Sequence, residues 1–446
     1  MTMDKRLTVA ALLLASLPVF SQTAKTAREL IDEDVTRIGC TLHTYETTDI
    51  SDTPAPKGYK PFYVSHFGRH GSRYHGSEAK FERAKSLRIL REKGVLTEEG
   101  LLLSFQMDSL IAIHEGMYGY LTQVGSREHQ GVAERLYRRC PEIFNQKDRN
   151  EVYAVSSTVV RCLQSMANFC TSLVSKAPSL KVSYYTNDRT DKSLTRVSKG
   201  RLMMPGLDTG LEALDSIKHA VMDTDRMMKA FFSDPDEAMK YIPDSDPQLF
   251  FYDVISGGVI EQCLDEKAPK IYNHFTTDEL YNYWRCNNAY ALNQHGFCYE
   301  NKKGAARKGQ YILRDFLAKA DEALQPDSHR VADFRFSHDS QTLPFIFFLG
   351  LEGCDKLYHM GEESENGWYA FQNICMCTNV QMIFYRDKKG DVLVKFLHNE
   401  KEKRLAGLEP DFGPYYEWTR LRPFLESLTI GDMERIKGLR QRPRTS

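Results

Sequence analysis

Two arginines flank a histidine within residues 68–73, which read Gly-Arg-His-Gly-Ser-Arg. The guanidinium groups of Arg69 and Arg73 are planar forks of N–H donors that match the oxygens of a phosphate. The imidazole of His70 is a nucleophile in its neutral form, and the two glycines let the backbone turn close to a ligand. Alone, this hexapeptide fits a solvated turn equally well.

Two further segments carry charged and acid–base groups. Residues 337–340 read Ser-His-Asp-Ser, which contributes His338 and Asp339, and Arg161 ends the sequence Ser-Ser-Thr-Val-Val-Arg. Arg161 by itself also fits the surface of a helix. Each of the three segments follows a predicted strand, and ligands bind beyond the carboxyl ends of the strands in α/β sheets. Together they predict one anion-binding site with acid–base groups.

The strands that position these groups are short and rich in aromatic and β-branched residues. They are predicted at residues 61–66, 151–156, 180–185 and 331–337, with a hairpin at 375–385 and 392–398 that turns at 388–390. Helical patterns cover residues 78–93, 101–120, 127–139 (with Ser126 as N-cap), 158–173, 309–324 and 341–349. This alternation predicts an α/β fold: a three-layer core with a mostly parallel sheet and helices on both faces.

The alternation of strands and helices stops between residues 187 and 308. Helical stretches such as 210–232 and 277–292 dominate there, separated by Asp, Pro and Gly. We therefore predict an inserted, mostly helical cap over residues 187–308. The α/β core would then comprise residues 22–186 and 309–446.

The 446 residues include 41% hydrophobic and 27% charged residues, a balance typical of globular domains, and carry a formal net charge of −1. Such a chain has no overall positive field to hold nucleic acid or an anionic membrane. Neither partner is expected, and any bound anion must be held by a local cluster of positive charge. The oligomeric state stays open.

Residues 1–21 have the pattern of a signal peptide. Lys5 and Arg6 precede an apolar stretch over residues 7–20, and small residues point to cleavage after Ser21. The stretch is shorter than the roughly 20 residues of a transmembrane helix. A buried N-terminal helix is the alternative interpretation. We expect a secreted or periplasmic protein.

Ten cysteines follow the expected cleavage point. An even count in an exported chain allows several disulfides, but free buried thiols are equally consistent with their apolar surroundings. Cys375 and Cys377 would lie on one face of a strand and could form half of a metal site. No partner pair has zinc-like spacing, so neither a metal nor another cofactor is expected.

The motifs together resemble the histidine acid phosphatases, the larger branch of the histidine phosphatase superfamily, which includes phytases and multiple inositol polyphosphate phosphatases. The family pattern Arg-His-Gly-x-Arg-x-Pro is met up to Arg73, with His75 in the place of proline, and its later His-Asp pair is met at residues 338–339. Further similar positions are Leu121, Thr122, Gly125, Glu128, Arg161, Ser165 and residues 393–400. The resemblance covers residues 41–420 and is weakest in the cap.

The resemblance implies that His70 is the nucleophile and forms a phosphohistidine, and that Asp339 is the proton donor. It implies a phosphate pocket made of Arg69, Arg73, Arg161 and His338. The arginines should lower the pKa of His70, and a bound phosphate dianion should raise that of Asp339, so both shifts favour acid conditions.

Other side chains near these motifs are given supporting roles. His66, His75 and His129 are expected to be hydrogen-bond partners around the site rather than catalytic groups. Tyr74 is expected to form a wall of the pocket. The presence of His75 where the family has proline bears on the geometry of the loop.

The sequence thus predicts an exported phosphomonoester hydrolase that acts on small organic phosphates. The first motif, with Arg73 and Tyr74, resembles that of the inositol polyphosphate phosphatases. That branch often has His-Ala-Glu at the second motif, whereas residues 338–340 read His-Asp-Ser, as in general acid phosphatases and phytases. A phosphatase or phytase specialised for inositol hexakisphosphate is therefore the alternative. A non-catalytic protein that binds phosphorylated ligands, or a phosphomutase, would be alternatives of other classes.

Overall fold

A computed structural model describes residues 25–47, 49–186, 194, 211–265, 268–300 and 306–430. The expected signal peptide lies outside these described residues. In the part of the chain that is described, no helix is long and apolar enough to cross a membrane.

A mixed β-sheet forms the centre of the molecule. Its strands are β1 (Lys60–Arg69), β2 (Glu151–Ser156), β3 (Lys181–Thr186), β4 (Arg330–Ser337), β5 (Asn379–Arg386), β6 (Val392–His398), β7 (Lys401–Lys403) and β8 (Tyr415–Glu417). The order is β3-β2-β4-β1-β5-β6-β7, and β8 also pairs with β6. Strands β1 to β4 pair in parallel, and β5 to β8 add an antiparallel half. The predicted α/β class is confirmed.

The helices surround this sheet and occupy most of the connections. They are α1 (Ala27–Glu33), α2 (Ser86–Glu92), α3 (Glu98–His114), α4 (Gln123–Arg139), α5 (Pro141–Phe144), α6 (Val160–Lys176), α7 (Leu211–Val221), α8 (Asp225–Phe231), α9 (Pro235–Ala238), α10 (Pro247–Gly258), α11 (Thr277–His295), α12 (Ala306–Leu324), α13 (Asp339–Leu349), α14 (Glu362–Glu365), α15 (Ala370–Asn373) and α16 (Trp418–Ile430). Short 3₁₀ turns cover Val35–Leu42, Glu78–Phe81, Pro243–Ser245, Val259–Cys263 and Ile271–His274.

Two apolar clusters lie on opposite faces of the sheet. Side chains alternate between the faces of a strand, so Val64 of β1 joins the cluster with α4 and α6, whereas Phe67 joins the cluster with α12 and α13. Strands β1 and β4 are buried along nearly their whole length because helices cover both faces. In β4 the buried residues include charged ones, and Arg330 donates to Asp333 at 2.7 Å.

The predicted elements differ from the observed ones mainly at their ends. Strand β1 continues to Arg69, since it pairs with β4 on one side and β5 on the other. Helix α4 begins at Gln123, and its N-cap is Thr122, whose hydroxyl accepts the N–H of Gly125; Ser126 was the wrong N-cap. The helices expected at 78–93 and 210–232 are each interrupted.

Residues 375–378 form a turn before β5 rather than part of that strand. Cys377 has a φ of 57°, so the alternation expected for Cys375 and Cys377 does not apply. All ten cysteines are buried. Eight of them are free thiols: Cys40, Cys140, Cys162, Cys170, Cys263, Cys286, Cys375 and Cys377. Of the two interpretations that the sequence allowed, disulfides or buried thiols, these cysteines follow the second.

Helices α7 to α11 lie in the stretch where a helical cap is predicted. Within the described residues of that stretch there is no strand, while residues 187–193 and 195–210 lie outside the described chain. The apolar side chains of these helices join the same cluster as α12, α13 and one face of the sheet. The division into core and cap stays a prediction.

Candidate active site

The parallel pairing of β1 with β4 brings the two histidine motifs together. Arg69 is opposite Ser337 in the register, so His70 and His338 follow neighbouring strand ends. The N–H of His70 donates to the carbonyl of Ser337 at 2.9 Å, and the two imidazole centroids are 5.5 Å apart. The separate sequence motifs thus form one cluster of side chains.

Strand β2 lies on the other side of β4 and delivers the third segment. A guanidinium nitrogen of Arg161 donates to Nδ1 of His338 at 3.2 Å, and Oγ of Ser157 lies 3.0 Å from Nε2 of the same ring. Arginine can only donate, so Nδ1 accepts and the ring proton is on Nε2, where Ser157 accepts it. Arg161 and Ser157 thus orient the ring of His338 beside that of His70.

The imidazole of His70 is oriented by the carbonyl that follows it. Nδ1 lies 2.9 Å from the carbonyl oxygen of Gly71 and donates to it, so the lone pair is on Nε2. Burial lowers the pKa of His70 well below its ordinary value, and the charges of Arg161, Arg69 and Arg73 lower it further. A neutral imidazole is the nucleophilic form.

Arg69 is completely buried and anchored at several points. It donates to the carbonyls of Thr41 and Ile374 and, at 2.9 Å, to Oδ2 of Asp339. The residue expected to bind phosphate thus also pairs with the expected proton donor. Its anchored guanidinium fixes a positive charge beside both the expected phosphate site and the carboxyl group of Asp339.

Asp339 is the first residue of α13, and its Oδ1 accepts the N–H of Ser340 at 2.7 Å. Burial would raise the pKa of Asp339, but the positive charge of Arg69, with a smaller effect from the neighbouring His295, outweighs it, and the pKa is well below its ordinary value. The carboxyl group is therefore ionised in the ligand-free site. A negatively charged ligand would oppose this effect and favour the protonated form.

Arg73 completes the ring of positive charge. Its guanidinium donates to the carbonyl of Tyr74 at 2.8 Å. Burial, with the nearby charges of Arg161 and Arg69, lowers the pKa of Arg73 to about 10, so it stays protonated at neutral and acid pH. The four residues expected to bind phosphate therefore lie around His70.

Helix α4 holds the loop that carries His70. The carboxylate of Glu128 accepts the N–H and the hydroxyl of Ser72, both at 2.7 Å, and the N–H of Tyr45 at 2.9 Å. Oγ of Ser165, from α6, accepts the N–H of Gly71 at 3.1 Å. The family resemblance indicated Glu128 and Ser165 as similar positions, and the structure shows what they bind.

Gly71 and Gly125 allow this loop and α4 to approach closely. A Cβ atom on Gly125 would lie 2.2 Å from the carbonyl oxygen of Ser72, and one on Gly71 would lie 2.7 Å from that of Gly125. Both contacts are with backbone, which cannot move aside as a side chain can. Any larger residue at either position must displace the loop.

The neighbouring histidines differ in their contacts. His75 donates to the carbonyl of Gly257 at 3.0 Å and ties the loop to α10, a role that proline could not fill. Nδ1 of His129 lies 3.5 Å from Sγ of Cys377. The hydrogen-bonding role expected for His66 is wrong: neither ring nitrogen has a partner among the described residues, and the ring packs against phenylalanines.

The sequence reasoning did not identify His295, the last residue of α11. Its Nε2 lies 3.8 Å from Oδ1 of Asp339. The residue is separated from the motifs by a helix of the predicted cap, and its local sequence shows no catalytic pattern. Only the packing of α11 against α13 reveals the proximity.

One group of side chains in the described part of the chain could hold a metal ion: Asp34, His43 and Glu46, whose ligand atoms lie within 4.8 Å of one another. His43 and Glu46 already bind each other, with Nε2 of His43 3.0 Å from Glu46, and Arg37 also binds Glu46. The carboxylate of Asp34 accepts the N–H and the hydroxyl of Thr36. The hydrogen bond from His43, with that from Arg37, lowers the pKa of Glu46 to about 2. This is an ion-pair network separate from the three motifs.

The site can therefore perform metal-free nucleophilic chemistry on a phosphate ester. It combines an unprotonated imidazole nitrogen, three guanidinium groups and a carboxyl group next to His70. The arginines can stabilise the negative charge of a phosphoryl group during transfer. A carboxyl group at the edge of this ring can exchange a proton with the ester oxygen.

Comparison with known proteins identifies a family and a shared fold. The family model described as "Histidine phosphatase superfamily (branch 2)" matches residues 64–399. No curated protein matches the chain. Three of the similar solved structures share its fold.

Two of them are of the multiple inositol polyphosphate phosphatase of Bifidobacterium longum. Its complex with inositol hexasulfate (TM-score 0.72) and its apo form (TM-score 0.73) are each 19% identical, with 87% of this chain and 97% of that chain covered. The third is the phytase from D. castellii, with a TM-score of 0.66, 14% identity, and 89% of this chain and 86% of that chain covered.

Proposed function

We propose, for a chain that belongs to branch 2 of the histidine phosphatase superfamily, that His70 takes the phosphoryl group of a phosphomonoester and passes it to water. The class predicted from the sequence, a phosphoric monoester hydrolase of the histidine acid phosphatase type, is that of the family. The observation that carries the proposal is the lone pair on Nε2 of His70, enclosed by Arg69, Arg73 and Arg161.

In the first half-reaction, Nε2 of His70 attacks phosphorus and the bond to the ester oxygen breaks. Arg69, Arg73, Arg161 and His338 bind the phosphoryl oxygens. The negative charge of the bound ester favours the protonated form of Asp339, which gives its proton to the leaving oxygen. The product alcohol departs and a phosphohistidine remains.

In the second half-reaction, Asp339 is again a carboxylate and accepts a proton from water. The hydroxide that forms attacks phosphorus, and the electron pair of the P–N bond returns to Nε2 of His70. Inorganic phosphate leaves, Asp339 releases the proton that it took from water, and both residues regain their starting states. The positive charge comes from side chains, so no metal ion is required.

Small organic phosphates are the proposed substrates, with inositol polyphosphates as the alternative specialisation. The inositol polyphosphate phosphatase of B. longum supports the alternative through its shared fold and its complex with inositol hexasulfate. The sequence His-Asp-Ser at residues 338–340 supports the broader class. A panel of an aryl phosphate, a sugar phosphate and inositol hexakisphosphate distinguishes them by relative kcat/KM.

We also propose that the protein is exported, on the basis of Lys5, Arg6 and the apolar residues 7–20. The first residue of the mature protein would then be Gln22. Fractionation of the native cells and N-terminal sequencing of the protein test this. A protein that retains residues 1–21 in the cytoplasm would contradict it.

Release of inorganic phosphate from this panel tests the proposed activity. The native protein should release phosphate in the presence of excess chelator, and His70→Ala should lose the activity by several orders of magnitude while it still binds phosphate. The matched control is His329→Ala, because His329 is exposed and belongs to none of the motifs. Tight binding without turnover by the native protein would favour the non-catalytic alternative.

A further inference from the structure

His295 faces the carboxyl group of Asp339 from the side of α11. Its Nε2 is 3.8 Å from Oδ1, while Arg69 binds the other oxygen, Oδ2, at 2.9 Å. The side chains of His295 and Asp339 are 22% and 24% exposed, so both border the open site. The charged and titratable groups that face Asp339 are Arg69 and His70 at the end of β1, His338 before α13, and His295 on α11.

We propose that His295 is a positioning residue that stores a proton and shares it with Asp339, the proton donor. The proposal rests on the phosphohistidine mechanism proposed above and adds to it the origin of the proton.

The proton that Asp339 gives to the leaving oxygen needs a source. Arg69 and its neighbours hold Asp339 as a carboxylate before substrate binds, and a carboxylate cannot protonate a leaving alkoxide. A dianionic ester does not carry a transferable proton. A second group within reach of Oδ1 can supply one directly, and the imidazole of His295 faces that oxygen.

The position of His295 favours a protonated imidazole. It is the last residue of the 19-residue helix α11, where the helix dipole stabilises positive charge. The ordinary pKa of histidine, about 6.5, allows it to be charged in mildly acidic water and to release its proton. A separation of 3.8 Å can shorten when substrate binds, since catalytic hydrogen bonds are often long in ligand-free sites.

The proton balance closes over one turnover. When the ester dianion binds, the N–H bond at Nε2 of His295 breaks and an O–H bond forms at Oδ1 of Asp339. That proton passes to the leaving oxygen when the P–O bond breaks. Asp339 then takes a proton from the attacking water, and the proton returns to His295 when phosphate leaves.

His295→Gln tests this role in the full-length protein, with His219→Gln as its matched control. His219 is also in the last turn of a helix, α7, and also pairs with an aspartate, Asp246, at 3.0 Å. Profiles of kcat and KM against pH are measured for an alkyl phosphate and for an aryl phosphate with an acidic phenol. The probes are these two esters alone.

His295→Gln should lower kcat for the alkyl ester by about 10-fold, less than the loss of a general acid itself, with KM changed little. The alkaline limb of the profile should move to lower pH, while the aryl ester is affected less. His295→Lys restores the charge but holds its proton too tightly at acid pH, so it should not restore kcat. His219→Gln should behave as the native protein.

Three outcomes would overturn the proposal. An unchanged pH profile for His295→Gln would show that the residue takes no part in proton supply. A rise in KM alone, reversed by His295→Lys, would show a purely electrostatic role. Equal losses on both esters, together with a lowered Tm, would show a structural one. Native protein that hydrolyses neither ester would instead contradict the proposed function.

Discussion

Burial and the neighbouring positive charges both lower the pKa of His70. At Asp339 they have opposite effects, because burial raises the pKa and the positive charges lower it. Both effects keep the imidazole neutral, so acid conditions do not deprive the site of its nucleophile until the pH is well below 6.5. The pKa of Asp339 is lowered in the ligand-free site, so the proton it needs becomes scarcer as the pH rises. The two groups together favour activity in mild acid.

Asp339→Asn tests whether the site needs the acidic proton of the Asp339 carboxyl group or only its size and shape. The amide keeps the size of the carboxyl group but has no acidic proton. We expect a loss of about 10²–10⁴-fold in kcat on an alkyl phosphate, because a poor leaving group requires protonation. An aryl phosphate with an acidic phenol should lose less, and its phosphoenzyme should accumulate because water activation is slower.

Steady-state rates and rapid-quench amplitudes on the two esters measure this difference. Asp355→Asn is the control, because Asp355 lies in a turn outside the three motifs. If both esters lose activity equally and no phosphoenzyme accumulates, Asp339 only positions phosphate, and the proton comes from another group.

At the scale of elements, strand order positions the nucleophile and helix α4 holds it there. The neighbouring strands β2, β4 and β1 end at one edge of the sheet and deliver Arg161, His338 and His70. Helix α4 then fixes the loop through Glu128 and through its close contact at Gly125.

Gly125→Ala tests whether this contact sets the geometry of the site. The new Cβ would lie 2.2 Å from the carbonyl oxygen of Ser72, so the loop carrying His70 must move. We expect a loss of at least about 10²-fold in kcat/KM, because small displacements of reacting groups are costly. Gly131→Ala, on the same helix, would contact the guanidinium of Arg135 rather than the loop that carries His70, and should retain activity. Comparable activities of the two variants would contradict the account.

The strands and the main site residues could be predicted from the sequence because each is indicated by the residues next to it in the chain. Short segments with aromatic and β-branched residues indicated β1, β2 and β4, and the charged residues of the site lie beyond the ends of those segments. The proximity of His295 to Asp339 and the lack of a hydrogen-bond partner for His66 among the described residues could not be predicted. Both depend on the packing of elements that are distant in the sequence. The breaks in the helices expected at 78–93 and 210–232 likewise depend on tertiary contacts that override a helical pattern.

At the scale of the whole molecule, buried neutral histidines make stability depend on pH. Burial lowers the pKa values of His66, His129 and His398 to about 3. Each is neutral in the folded protein between pH 6.5 and 3 but binds a proton in the unfolded chain. The unfolded state therefore gains protons as the pH falls, and each such histidine destabilises the fold by about 1.4 kcal/mol per pH unit.

His66→Phe should reduce this acid sensitivity. Neither nitrogen of His66 has a hydrogen-bond partner among the described residues, and its ring lies 5.0 Å from that of Phe169. The free energy of unfolding should become less steep by about 1.4 kcal/mol per pH unit between pH 6 and 4. Urea unfolding at several pH values measures the slope. Exposed His329→Phe is the control, and equal slopes for both variants would contradict the prediction.

The covalent state of His70 during turnover tests the central claim most directly. Native protein is mixed with a ³²P-labelled aryl phosphate and quenched within milliseconds in alkaline detergent, because the P–N bond of phosphohistidine is labile in acid. Peptide mapping should locate the label on His70, and His70→Ala should retain none. Label on Ser72 or Ser157, or phosphate release without any labelled protein, would contradict the phosphohistidine mechanism.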